Sequence, residues 1–314
     1  MSIFSIFKKN KEKQEVPEWA SFFNKNEYNE FLSAIEEYFY SKNITYNLDD
    51  GFLNAGPNDF GFDKMGLTNV AQVCKLDKPK SFKVIVKKHF EAFIRTNQFG
   101  REFKKIIHDY EKIKEYIAVR LYPDDYVPKA AKDISMSKNF AGDIIALLVF
   151  DLPDSVQNIT SNDANKWNKS FDELFETGIQ NIKSKYPLDI SKQQFDEFAI
   201  WFVQGDHFFT PNIVFDFEHQ QKLMGTYGSL IGIPHRHAVI IYPIENIAVV
   251  NAINALIPTV YGMNNEGPGS ISNNIFWYKD GHYENLPYKI EDNKIQFDPP
   301  ENFVDLLNTL ESVE

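Results

Sequence analysis

Residues Ile144 to Phe150 are apolar without interruption, and Asp151-Leu152-Pro153-Asp154 ends the run. A run this short and this apolar suits a strand whose two faces are both covered. Helices or a second sheet must therefore close over it. The 314 residues suffice for that, being enough for roughly two domains or one large one. Hydrophobic residues make up 43% of the chain, the ordinary globular share. The 28 Phe, 15 Tyr and 4 Trp carry large apolar areas into a core, which excludes a mainly disordered chain.

Before this strand the pattern is helical. Tyr28, Phe31, Leu32, Ile35, Tyr38 and Phe39 recur at helical spacing within Glu27 to Tyr40. Ile44 to Leu48 and Phe52-Leu53 flank Asp49-Asp50-Gly51, the signature of a small hairpin. Ser81 is placed to cap a helix reaching about Thr96, and Gly100 to break it. A further helix then carries Phe103, Ile106, Ile107, Tyr110 and Ile113 on one stripe. From Tyr116 onward strands and helices mix. Ile117 to Tyr122, Phe198 to Val203, Leu230 to Ile233 and Ala238 to Tyr242 read as strands. Ser170 with Glu173 forms a capping box, and Thr210-Pro211 starts a helix that stops at Gly225. Glu245 to Ile257 reads as a helix stopped by Pro258. Hairpins follow, one at Lys279-Asp280-Gly281-His282 and one turning at Asp292-Asn293, before a closing helix at Phe303 to Leu310. The expected fold is α+β: a mixed or antiparallel sheet with flanking helices, preceded by a mainly helical N-terminal region. The expected divisions are a disordered tail at 1–16, helices with a small hairpin at 17–115, and an α+β domain at 116–314.

Charge is uneven. The net charge is −11, yet residues 75–115 hold 12 Lys and Arg against 6 Asp and Glu, a net of +6. Residues 186–314 hold 6 against 17, a net of −11. Overall acidity argues against nucleic acid as a partner. Lys87, Lys88, Lys104 and Lys105 form a candidate surface for an acidic protein partner or for the acidic C-terminal half. Ile3, Phe4, Ile6 and Phe7 precede Lys8, Lys9, Lys11 and Lys13, the reverse of a signal peptide. Residues 1–13 suit at most a weak peripheral membrane contact. No apolar run approaches the roughly 18 residues of a membrane span. The single cysteine, Cys74, forms no internal disulfide and points to the cytoplasm.

A family resemblance rests on particular residues. Arg120-Leu121-Tyr122-Pro123 and Phe140 to Ile145 lead into Val149-Phe150-Asp151. Ile159-Thr160, Trp167, Phe171 to Leu174 and Gly178 to Ile182 follow. This order resembles the YtpQ-like family of uncharacterised bacterial proteins. That family has a strand ending in Asp, an Ile-Thr pair, and a helix with a Leu-x-x-x-small-x-x-Asn-Ile/Leu pattern. Gly205-Asp206, Ile233-Pro234 with Arg236, and Ile271-Ser272 through Phe276 resemble its later blocks, so the likeness covers about residues 117–285. It implies a cytoplasmic bacterial protein with one α+β unit, and no activity. The family tends to a small residue where His235 stands, and His237 is also unusual there.

Candidate chemistry is sparse. The chain has no phosphate-binding Gly-x-x-x-x-Gly-Lys-Ser/Thr, no Gly-x-Gly-x-x-Gly fingerprint and no Gly-x-Ser-x-Gly elbow, and no cofactor is implied. On a strand, His235 and His237 would share a face and could share a metal, with Asp206, His207 or His219 as third ligand. Arg236 would point the other way, to clamp a carboxylate or phosphate or to pair with Asp206 or Asp151. Asp143 and Asp151 bracket the apolar strand and could pair as carboxylates. Gly267-Pro268-Gly269-Ser270 reads as a flexible turn. The favoured reading is a non-enzymatic binding or regulatory protein. The alternative is a metal-assisted hydrolase centred on His235 and His237.

Overall fold

The computed structural model describes residues 15–128, 131, 134–195, 198–291 and 294–310. The expectations for the N-terminal tail up to residue 14, including the membrane contact, and for the turn at Asp292-Asn293 lie outside the described residues. The chain forms two compact units, residues 1–105 with 153–155, and 106–152 with 156–314.

The first unit carries helix α1 (Lys25–Ser41), strands β1 (Tyr46–Asp49), β2 (Phe52–Ala55) and β3 (Lys64–Gly66), helix α2 (Thr68–Lys75) and the long helix α3 (Phe82–Ile106). The hairpin thus gains a third strand, in the order β1-β2-β3. Asn24 and Glu27 cap α1 reciprocally. The core is aromatic: Phe31, Phe39, Phe60, Phe82 and Phe90 are fully buried, and Phe39 meets Phe90 edge-on at 4.8 Å. Val16 packs against this core. The expected break at Gly100 does not occur, and α3 runs through it. A Gly inside a helix costs only about 1 kcal/mol. The stack of Phe99 on Phe103 spans that point.

The second unit is α+β and mainly antiparallel. A short helix α4 (Tyr110–Ile113) leads to β4 (Ile117–Pro123), β5 (Ser137–Ala141), β6 (Ile144–Leu152) and β7 (Ser155–Asn158). β4 and β5 flank β6, and β7 also pairs with it. The apolar run is therefore the central strand expected, and every residue of β6 is buried. Helices α5 (Ser161–Ala164) and α6 (Phe171–Lys185) follow, α6 with the expected Ser170–Glu173 box. Gly178 lets α6 lie close on β4, because a Cβ there would come within 2.8 Å of the Ala118 carbonyl carbon. Asn181 donates to the carbonyls of Lys114 and Ile117, fixing the start of β4.

The larger sheet has six strands, in the order β13-β12-β10-β11-β9-β8. They are β8 (Asp189–Gln194), β9 (Ala199–Gln204), β10 (Ser229–His235), β11 (Ala238–Pro243), β12 (Ile275–Lys279) and β13 (His282–Leu286). Helix α7 (Val249–Glu266) packs on it, with Gly232 of β10 facing Val260. A hairpin of β14 (Tyr288–Glu291) and β15 (Lys294–Phe297) and helix α8 (Glu301–Thr309) close the chain. Two expectations are corrected. α7 does not stop at Pro258, because Ala252, Ile253, Leu256, Ile257 and Val260 continue one buried stripe past it. The proline sits on the exposed side, where the lost backbone bond faces water. The segment from Thr210 is a 3-10 helix to His219 rather than an α-helix to Gly225. Thr210 to Val214 are all buried, and Asn212 donates to the Val119 carbonyl at 2.7 Å.

Candidate functional site

β4 places one charge inside a buried strand. Arg120 is 9% exposed and stands opposite Leu147 of β6. Its guanidinium carbon lies 4.5 Å from the Tyr122 ring centroid and 5.2 Å from that of Phe208. Its Nε is buried and meets no acceptor. Burial holds Arg120 below the usual guanidinium range, and the titratable groups acting on it among the described residues are two phenols, Tyr122 and Tyr126, neutral at working pH. It stays protonated at any working pH.

A second arginine approaches the same ring. β10 and β11 are joined by the turn Arg236-His237, so His237 does not continue a strand beside His235 as expected. The two imidazole centroids are 6.2 Å apart, tilted by 58°. Arg236 Nε donates to His237 Nε2 at 3.1 Å, and its guanidinium carbon lies 4.2 Å from the Phe208 centroid. Arg236 is also held below its usual range by burial first and then by the positive charge of Arg120. Among the described residues neither guanidinium meets a carboxylate. Asp151 is engaged by Lys185 and by the Tyr186 hydroxyl, and Asp206 is exposed.

The loop Gly267 to Ser270 is a cradle for this turn. A Cβ on Gly267 would come within 2.2 Å of the His235 ring, and one on Gly269, at φ +71°, within 2.7 Å of the Arg236 stem. Arg236 N–H donates to the Gly269 carbonyl at 3.1 Å. The two glycines are required by close approach, not by flexibility.

Three histidines surround the pair. His237 Nε2 accepts from Arg236, which puts its proton on Nδ1, 3.1 Å from the Gly205 carbonyl. His207 Nδ1 accepts from Phe209 N–H, and its Nε2 faces the Pro187 carbonyl at 3.3 Å. His235 Nδ1 accepts from His237 N–H. Burial lowers all three, His235 to about 4, so they are uncharged at neutral pH. The positive charge of the cluster is therefore that of Arg120 and Arg236.

The structure does bring His235, His237 and Asp206 together, with His207, as lining of one groove of about 1060 Å³. Their donor set does not suit a metal. Both ring nitrogens of His237 are engaged, which leaves His235 Nε2 as the open imidazole nitrogen of the Arg236 turn. Among the described residues no group of three or more His, Cys, Asp or Glu could hold a metal ion. Asp143 and Asp151 do not pair either, since Asp143 accepts from Ser272 Oγ and Asn274 Nδ2.

Lys87, Lys88, Lys104 and Lys105 are all exposed on α3. Their two pairs are separated by about 25 Å of helix, and Lys105 is paired with Glu102. They do not converge on a site. The residues that sequence reasoning passed over are Arg120 and Phe208. Arg120 carried a signal, a full charge in the middle of an apolar strand. Phe208 carried none, as one phenylalanine among 28.

Among the described residues no helix is long and apolar enough to cross a membrane. Set beside protein-family models, curated proteins and solved structures, the chain matches none of them.

Proposed function

We propose that the second unit is a non-enzymatic binding module that takes up an anion at Arg120 and Arg236. The observation that carries this reading is Arg120, nine-tenths buried with an orphaned Nε and, among the described residues, no carboxylate beside it. A desolvated guanidinium without a counter-ion is costly. The two cation–π contacts return about 0.5–2 kcal/mol each, less than a paired anion would. An anion bound between the two arginines supplies the missing charge. The module acts in the cytoplasm, and the favoured partner is a protein that presents the anionic group. We also propose kinship with the YtpQ-like family for residues 117–285, which brings no activity with it.

Thermal unfolding in sodium phosphate and in sodium chloride of equal ionic strength tests the reading. Phosphate should stabilise the second unit by mass action, and Arg236→Met should remove that difference. Equal melting in both salts for the wild type would refute it.

A further inference from the structure

We infer that the group recognised at Arg120 and Arg236 is a phosphomonoester dianion. This inference rests on the anion-binding reading and goes further by naming the anion. The first ground is charge. The cluster holds two permanent positive charges within 5.2 Å of one ring, and its histidines are hydrogen-bonded in neutral form. A single carboxylate would leave one guanidinium uncompensated. A phosphomonoester brings close to two negative charges on one compact group.

The second ground is donor direction. Arg236 Nε is engaged by His237 and Arg120 Nε is sealed from solvent, so both guanidiniums would meet a ligand through their terminal nitrogens. These donors belong to two guanidiniums, one on β4 and one on the turn between β10 and β11. A planar carboxylate is matched by one fork of one arginine. Tetrahedral phosphoryl oxygens accept from several directions at once. The Tyr122 ring is stacked on Tyr126 at 3.8 Å beside them.

The third ground is room for the rest of the molecule. His235 and His237, on either side of Arg236 in the chain, line the groove of about 1060 Å³, while Arg120 and Arg236 themselves do not. Leu188, Pro187 and Met263 give that groove apolar wall, and Asp189 and Asp206 lie on its exposed rim. Those rim carboxylates are hydrated and screened. They disfavour a ligand whose negative charge extends beyond the phosphoryl group. A phosphorylated side chain of a protein and a small organic phosphate share this chemistry.

Calorimetric titration of the full chain at pH 8 and fixed ionic strength tests the inference. The probes are phenyl phosphate, a phosphoserine peptide, dimethyl phosphate, acetate and succinate. Phenyl phosphate or the peptide should bind at least about tenfold more tightly than dimethyl phosphate and acetate, since each lacks one charge. Arg236→Met and Arg120→Met should each remove that preference. If the peptide is the tighter of the two, the source is a protein; if phenyl phosphate is, the source is a small molecule. Succinate binding as tightly as phenyl phosphate would overturn the phosphoryl assignment and leave an anion site. Heat from none of the probes would overturn the anion-binding reading itself.

Discussion

Arg120→Met should make the ligand-free protein more stable. Methionine keeps the apolar stem that packs along β4 and adds a thioether near Tyr122 and Phe208. It removes a buried donor that has no acceptor, a defect worth about 1–3 kcal/mol and more when charged. The two lost cation–π contacts return about 0.5–2 kcal/mol each, and the desolvation of the unpaired charge, several kcal/mol, exceeds them. The net gain is about 1–2 kcal/mol. For a unit of this size each kcal/mol moves the midpoint by about 2–4 °C, so the rise should be roughly 2–8 °C. Scanning calorimetry in a buffer free of phosphate measures it. A loss of 2 kcal/mol or more, on the scale of an ordinary core truncation, would show that Arg120 is structural. The reasoning about a ligand would then fail.

Neighbouring positions of β6 should respond differently to a carboxylate. Leu148 faces Val119, so Leu148→Asp buries an unpaired charge and should cost several kcal/mol in chemical denaturation; Leu147 faces Arg120, so Leu147→Asp should cost clearly less, and equal costs would count against the pairing described. Gly100→Ala should stabilise α3 by about 0.5–1 kcal/mol, because a Cβ there meets nothing within 4 Å; destabilisation would show that the backbone there is not a regular helix. Stability should also fall in mild acid. His89 and His235 are both lowered by burial to about 4 from 6.5, so between those values the unfolded chain binds protons that the folded chain does not. Their contribution is complete above pH 6.5 and is lost as pH falls toward 4, at up to about 1.4 kcal/mol per pH unit for each histidine. Melting temperatures across that window check this, and His89→Phe should flatten the transition of the first unit.

The legible parts of the fold were those where one local rule dominated. The apolar run Ile144 to Phe150, the Ser170–Glu173 capping box and the apolar strands Leu230 to Ile233 and Ala238 to Tyr242 each announce their element. Gly100 and Pro258 misled because breakers were weighed without their partners. Val260 carries the α7 stripe onward against Gly232, and tertiary packing overrides propensity there. The site was half legible. Arg236 and the histidines beside it could be singled out from polarity inside an apolar region. The histidine roles could not, since the Arg236-His237 turn directs each ring nitrogen to a backbone or guanidinium partner. Arg120 lies 116 residues before Arg236 in the chain, and only the sheet packing brings both to Phe208.

The location of a bound tetrahedral dianion tests the central claim most directly. A crystal of the protein soaked in sodium selenate, measured at the selenium edge, gives that location from anomalous scattering. The account predicts a peak within hydrogen-bonding reach of both Arg120 and Arg236, absent in Arg236→Met. Selenate bound elsewhere, with the space between the two guanidiniums empty, would contradict it.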